Sequence, residues 1–295
     1  MASRHFFKRH QGRGSYNLFS TYNYFLPGLK GMIMLLLMFF VGALLGNLII
    51  LGLSFGFSAQ FAQEYGTVIS YPLMFVPPMI YASYQSRKNE LWGNLEGIPE
   101  GGIPLDSNNF GKLGGFRLAL VASFATLAAA FVAEPINMLL PDMPEFLKKA
   151  LEQLTEGPLW ITLLSVSVFA PLFEEWLCRG LVLRGLLQKL NPFSAIAVSA
   201  AFFAVLHMNP WQAIPAFLLG LLFGYVYYKT GSLKLTILMH CVNNSLAAVA
   251  SRIPSLADAE SFMDVMSPWA YACIYIASVL VVCCTLVIFR GIKRR

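Results

Sequence analysis

The stretch Pro171-Leu172-Phe173-Glu174-Glu175-Trp176-Leu177-Cys178-Arg179 sets two carboxylates side by side within an apolar run. A charged side chain at the centre of a helix in hydrocarbon costs ~2.5–3.5 kcal/mol by even the mildest scales. A chain keeps such a group where it is paired, where it faces a wet cavity, or where it does chemistry. Composition makes the hydrocarbon setting hard to avoid. The 295 residues are 57% hydrophobic and 12% charged, with mean hydropathy +0.62, whereas soluble domains are about 25% charged. The chain reads as an all-α polytopic membrane protein.

Working outward from that stretch, eight apolar runs are long enough, or Gly/Pro-broken enough, to be spans. They are Gly31–Gly56, Val68–Tyr84, Phe116–Ile136, Trp160–Lys189, Pro192–Met208, Trp211–Tyr228, Leu233–Ser251 and Pro268–Phe289. No alternating ten-residue segments point to a β-barrel. With eight spans, 18 of the 21 Lys and Arg fall on one side, and Lys148, Lys149 and Arg252 fall on the other. The positive-inside rule then puts both termini in the cytoplasm. The basic pI of about 9.1 follows from this asymmetry, and no nucleic-acid partner is expected. The partners expected are the lipid bilayer and a peptide or protein at the membrane. The first apolar run is too long for a cleaved signal peptide and is read as a retained span. The five cysteines all lie within spans, with no C-x-x-C pair, which argues against disulfides and a cysteine metal site.

The organisation expected is a cytoplasmic segment (1–30), a transmembrane scaffold (31–155), a core (156–251), and a last span with a cytoplasmic end (252–295). The loop from Gln85 to Gly115 is rich in Gly, Asn and Pro and reads as irregular. Pro144 to Thr155 has helical apolar spacing, suiting either a surface amphipathic helix or a packed loop helix. The intramembrane polar residues gather between 174 and 244, so spans four to seven form the expected core. Spans one to three and eight read as scaffold.

Adjacent helical residues point about 100° apart, so Glu174 and Glu175 do not share one role easily. Glu175 and Arg179 stand at i,i+4 with the acid first, the favourable ion-pair order. This leaves Glu174 with only Cys178 as a neighbour on its own helix face. Pro171 lacks an N–H, leaving the Ser167 carbonyl without its α-helical donor and inviting a bend. His207 shares a face with Phe203. In a hairpin turning near Leu190, His207 and Glu174 lie at equal depth. A His207 that merely caps a helix ending at Asn209-Pro210 is an equal alternative. His240 and Asn244 share a face on the seventh span, with Asn243 pointing elsewhere. Either alone would serve as helix–helix glue. The chain has no His-Glu-x-x-His, no Gly-x-Ser-x-Gly and no phosphate-binding loop.

Three pieces in order on successive helices, Glu174-Glu175-x-x-x-Arg179, Phe203-x-x-x-His207 and His240-x-x-x-Asn244, resemble the CPBP family of CAAX-processing proteases and bacteriocin-immunity proteins. The likeness is close over roughly residues 155–250. It implies an eight-span intramembrane endopeptidase whose site faces the cytoplasm. It also implies that Glu174 and His207 activate water, that His240 and Asn244 stabilise the oxyanion, and that Glu175, Arg179 and Phe203 support them. Both a metalloprotease and a metal-free glutamate mechanism have been argued for that family. No cofactor is expected, but Glu174, His207 and His240 are a possible zinc set. Asn244, a poor zinc ligand and a good amide donor, favours the metal-free reading. The alternatives are a non-catalytic immunity or scaffold protein and a proton-coupled transporter.

Overall fold

The computed structural model describes residues 19–153, 157–257, 259 and 261–293. Most of the expected N-terminal segment lies outside these residues, with Arg4, Lys8, Arg9 and Arg13. So do Leu154 and Thr155 at the end of the amphipathic segment, and Arg294 and Arg295.

The described chain is helical. Its main helices are α1 (Leu29–Gly56), α2 (Ala59–Met74), α3 (Val76–Trp92), α4 (Gly114–Asn137), α5 (Glu145–Gln153), α6 (Leu159–Leu186), α7 (Pro192–Leu206), α8 (Pro210–Thr230), α9 (Leu233–Ala250) and α10 (Pro268–Arg290). Among the described residues, six are long and apolar enough to cross a membrane: α1, α4, α6, α8, α9 and α10. The expectation of eight is thus met for six.

The other two differ for local reasons. The expected span Val68–Tyr84 is divided at Phe75, between α2 and α3. Pro77 and Pro78 have no N–H to donate to the carbonyls of Leu73 and Met74, so the α-ladder stops there. Both pieces pack along α1. Gly42 allows the approach, because a Cβ there would lie 1.9 Å from the Met74 carbonyl oxygen. The second case is α7, with 15 residues, or about 22 Å of helix at 1.5 Å per residue. It stops short of Met208, whose φ of 56° is left-handed.

α6 is the central element. Of its most apolar window 61% is buried, against 17% for α10. Its side chains Trp176, Leu177, Leu181 and Leu183 fill the main core with Phe75, Phe203 and Leu233. A second core joins α4, α8, α9 and α10.

Two polar anchors tie the irregular segments to this bundle. Buried Arg184, near the end of α6, donates to the carbonyls of Tyr22 and Phe25 at 2.8 Å each, and also to that of Ile103. Asp106 accepts from the Leu233 N–H at 2.8 Å, at the start of α9, and pairs with Lys234 at 3.0 Å. An acidic group at a helix N-terminus satisfies an orphan donor and complements the helix dipole. The loop between α3 and α4 is therefore docked onto the ends of α6, α8 and α9.

Candidate active site

The chemistry-bearing stretch lies between two π-helical segments of α6, Leu163–Phe169 and Trp176–Leu183. π-bulges are uncommon and often mark functional positions. Pro171 accounts for part of the first. The Ala170 N–H bonds to the Ser165 carbonyl, five residues back. In that register the donor to the Val166 carbonyl would be residue 171, a proline. The carbonyl that Pro171 strands is thus Val166, where sequence spacing in an α-register pointed to Ser167. Asn244 of α9 donates to the Val166 oxygen at 2.8 Å. Asn243 does not point elsewhere as expected, since its amide donates to Asn244 Oδ1 at 3.1 Å. The Asn244 amide is thereby oriented, with one N–H still to give.

Glu175 and Arg179 form the expected i,i+4 pair, 2.6 Å apart with both side chains fully buried. Arg179 also donates to the Gly220 carbonyl of α8 at 3.1 Å. Its guanidinium stands 4.7 Å from the Phe203 ring centroid and 5.4 Å from that of Phe223. Such contacts suit a weakly hydrated, planar cation. Gly220 is needed for this approach, because a Cβ there would lie 3.1 Å from Ala200 and 3.4 Å from the Arg179 guanidinium.

Glu175 has a second partner that the spacing did not reveal. His240 Nδ1 lies 3.1 Å from the same carboxylate oxygen. A carboxylate only accepts, so Nδ1 carries the hydrogen. The other nitrogen, Nε2, is 3.8 Å from Glu174 Oε2. One imidazole is thus held between the two acids, hydrogen-bonded to Glu175 and facing Glu174.

Glu174 is also bonded from outside α6. The Tyr71 hydroxyl of α2 donates to Glu174 Oε1. Buried Oε2 accepts no hydrogen bond from the described protein atoms. Tyr71 sits one turn before the Phe75 break, where Phe75 stacks on Phe173 at 5.2 Å. The run read as scaffold therefore supplies a direct neighbour of Glu174. The available signal was a tyrosine within an apolar span, because a buried Tyr hydroxyl usually finds a partner.

His207 stands apart from this cluster. It is the C-cap residue of α7, which ends at Leu206 and not at Asn209-Pro210. Its Nδ1 lies 3.0 Å from the Phe203 carbonyl, which can only accept, so Nδ1 carries the hydrogen and Nε2 is the free acceptor in the neutral ring. Asn209 donates to the His207 carbonyl and caps α8. The Phe203 ring is edge-on to both imidazoles, 5.0 Å from His207 and 5.4 Å from His240. The i,i+4 spacing brings His207 to Phe203, and among the described residues Glu174 meets His240 and Tyr71. No three His, Cys, Asp or Glu side chains among the described residues gather as a metal-holding set. The set Glu174, His207 and His240 does not fit a zinc ion in this arrangement.

Chemically, the cluster offers a buried carboxylate with one oxygen bonded and one available, an imidazole facing it, and an oriented amide with a spare donor. Residues 156–246 match the family model described as type II CAAX prenyl endopeptidase Rce1-like. The match covers α6 to α9 almost entirely and excludes α2. Comparison with curated proteins and with solved structures finds no match.

Proposed function

We infer that residues 156–246, which match the Rce1-like type II CAAX prenyl endopeptidase model, are the peptidase domain of an all-helical, multi-pass membrane protein. From that premise we propose that the protein is an intramembrane endopeptidase that hydrolyses a peptide bond of a membrane-associated substrate, including prenylated CAAX-type peptides. The observation that carries this reading is the state of Glu174. Tyr71 occupies Oε1, while buried Oε2 accepts no hydrogen bond from the described protein atoms and stands 3.8 Å from His240 Nε2. That gap is too long for a direct hydrogen bond. In the proposed reaction the two side chains part to admit a water, which at about 2.8 Å from each atom would subtend about 85° at its oxygen.

His240 enters this reaction as an imidazolium, its Nε2 proton drawn from bulk water beforehand, and keeps that proton throughout. Glu174 takes a proton from the attacking water as its oxygen bonds to the scissile carbonyl carbon. The negative charge moves to the carbonyl oxygen, where the spare Asn244 N–H and the His240 Nε2–H act as donors. Glu174 then returns its proton to the amide nitrogen, the C–N bond breaks, and an acid and an amine leave. Glu175 and Arg179 hold His240 in place, and Phe203 packs against Arg179 and both imidazoles. The part given to His207 in water activation rests on the family resemblance; its free Nε2 is the atom that would serve. No step needs a metal. We further propose eight membrane passes, with α2–α3 as one bent passage and α7 as a short one, both termini cytoplasmic, and residues 156–251 as the catalytic unit.

The test is cleavage by the purified full chain of a farnesylated CAAX peptide and of an unprenylated peptide library, with Glu174→Gln alongside. Cleavage that depends on Glu174 supports the reading. A folded chain that cuts neither overturns it in favour of the immunity or scaffold alternative. Proton-coupled flux in proteoliposomes without cleavage would favour the transporter.

A further inference from the structure

A groove of about 680 Å³ runs between α4, α7, α8 and α10, away from the Glu174 cluster. The volume lies within the ~300–1,000 Å³ usual for ligand sites. Its walls are hydrocarbon, including Ala129 and Ile136 of α4, Leu218 and Leu222 of α8, and Val287 of α10. Arg290 lines it as well, at the last turn of α10. The Lys229 ammonium, which is not part of the groove wall, donates to the Arg290 backbone carbonyl at 3.1 Å, so a second basic residue stands at that end of α10. Neither pairs with a carboxylate among the described residues. The site thus combines an apolar channel with a basic end. α10 is also the least buried of the six candidate membrane helices.

We propose that this groove is a binding site for one anionic phospholipid, with an acyl chain along α8 and α10 and its phosphate between Arg290 and Lys229. An aliphatic chain matches the walls. A phosphate meets two basic residues that no described carboxylate neutralises, and basic residues at a membrane surface attract anionic headgroups. A purely neutral occupant leaves that end unmatched. The site has a structural consequence. On α8, Leu222 faces the groove, whereas Gly220 receives Arg179 and Phe223 packs on Arg179 and His240. A lipid in the groove buttresses α8 from behind and holds the wall of the Glu174 cluster. The proposal does not depend on the peptidase reading.

The experiment uses the full chain reconstituted in nanodiscs of phosphatidylcholine mixed equally with phosphatidylglycerol. After delipidating washes in mild detergent, retained phospholipid is counted per chain by mass spectrometry. The expected result is about one retained phosphatidylglycerol, enriched over phosphatidylcholine. Arg290→Gln with Lys229→Gln should cut the enrichment about tenfold or more. Ala129→Phe, which fills the channel and keeps both charges, should abolish retention while the chain still elutes as a folded species. Equal retention of both lipids, or retention that neither variant changes, overturns the proposal. So does a photoreactive farnesyl peptide that labels Leu222 in place of a photoreactive phosphatidylglycerol, since the groove would then belong to the substrate. Disulfide capture of two copies through Val287→Cys would put a second chain there and overturn it likewise.

Discussion

Tyr71 and Glu174, 103 positions apart, share one hydrogen bond in an apolar interior. The bond joins α2, outside the residues that match the Rce1-like model, to an acid within them. It also divides the carboxylate, with Oε1 engaged and Oε2 left to face His240.

If Tyr71 orients the base, Tyr71→Phe should lower turnover and leave substrate affinity nearly unchanged. A hydrogen bond to a charged group contributes about 1.5–3 kcal/mol, which corresponds to roughly a 10- to 150-fold loss of rate. Steady-state cleavage per folded molecule measures it. An unchanged rate with lowered thermostability would make Tyr71 only a packing residue.

The adjacent acids should fail differently. Glu174→Gln keeps volume and can still accept from Tyr71, yet cannot take a proton, so the rate should fall by ~10²–10⁴. The fold should persist, because the Tyr71 bond and the Glu175–Arg179 pair are kept. Glu175→Gln strands Arg179 and loosens His240 together. Breaking a buried pair costs ~3–5 kcal/mol, so low yield and a lowered melting temperature should dominate. Detergent thermostability and rate per folded chain separate the two. A stable, inactive Glu175→Gln beside an active Glu174→Gln would reverse the roles.

Asn244→Ala removes two things at once, the partner of the Val166 carbonyl and a candidate oxyanion donor. Turnover should fall by ~10²–10³, with a stability loss of about 1–3 kcal/mol for the orphaned carbonyl. Adding Pro171→Ala supplies an N–H at residue 171. The double variant should regain stability and stay slow. Recovery of rate as well would make the Asn244 role structural.

Chelation should leave cleavage intact, and the purified chain should carry far less than one zinc. The physical reason is that no three His, Cys, Asp or Glu side chains among the described residues gather as a metal-holding set. Stoichiometric zinc, with activity lost on its removal and restored by its return, would require the three side chains to regroup around the ion.

A reporter fused after Arg295 should behave as cytoplasmic, following the 18-to-3 distribution of Lys and Arg. An external C-terminus would overturn the proposed orientation and with it the side from which substrate enters.

Composition alone determined that this is a helical membrane protein, because a chain 12% charged has too few polar groups to present a water-soluble surface. Local spacing determined the Glu175–Arg179 pair, because i,i+4 contacts depend only on helix geometry. It also determined that Pro171 would disturb its helix. Spacing could not say which carbonyl would be stranded, since that turned on a π-register within α6. Nor could it show that the run Val68–Tyr84 breaks at Phe75, where two prolines outweigh apolar continuity. The partners of Glu174 were decided only by tertiary packing. Depth counting on the α6–α7 hairpin matched His207 to Glu174 in height, but height leaves rotation and helix ends undetermined. α7 stops at Leu206 and turns His207 onto Phe203. His240 enters from α9 and Tyr71 from α2, along contacts fixed by how the helices pack and not by any local pattern.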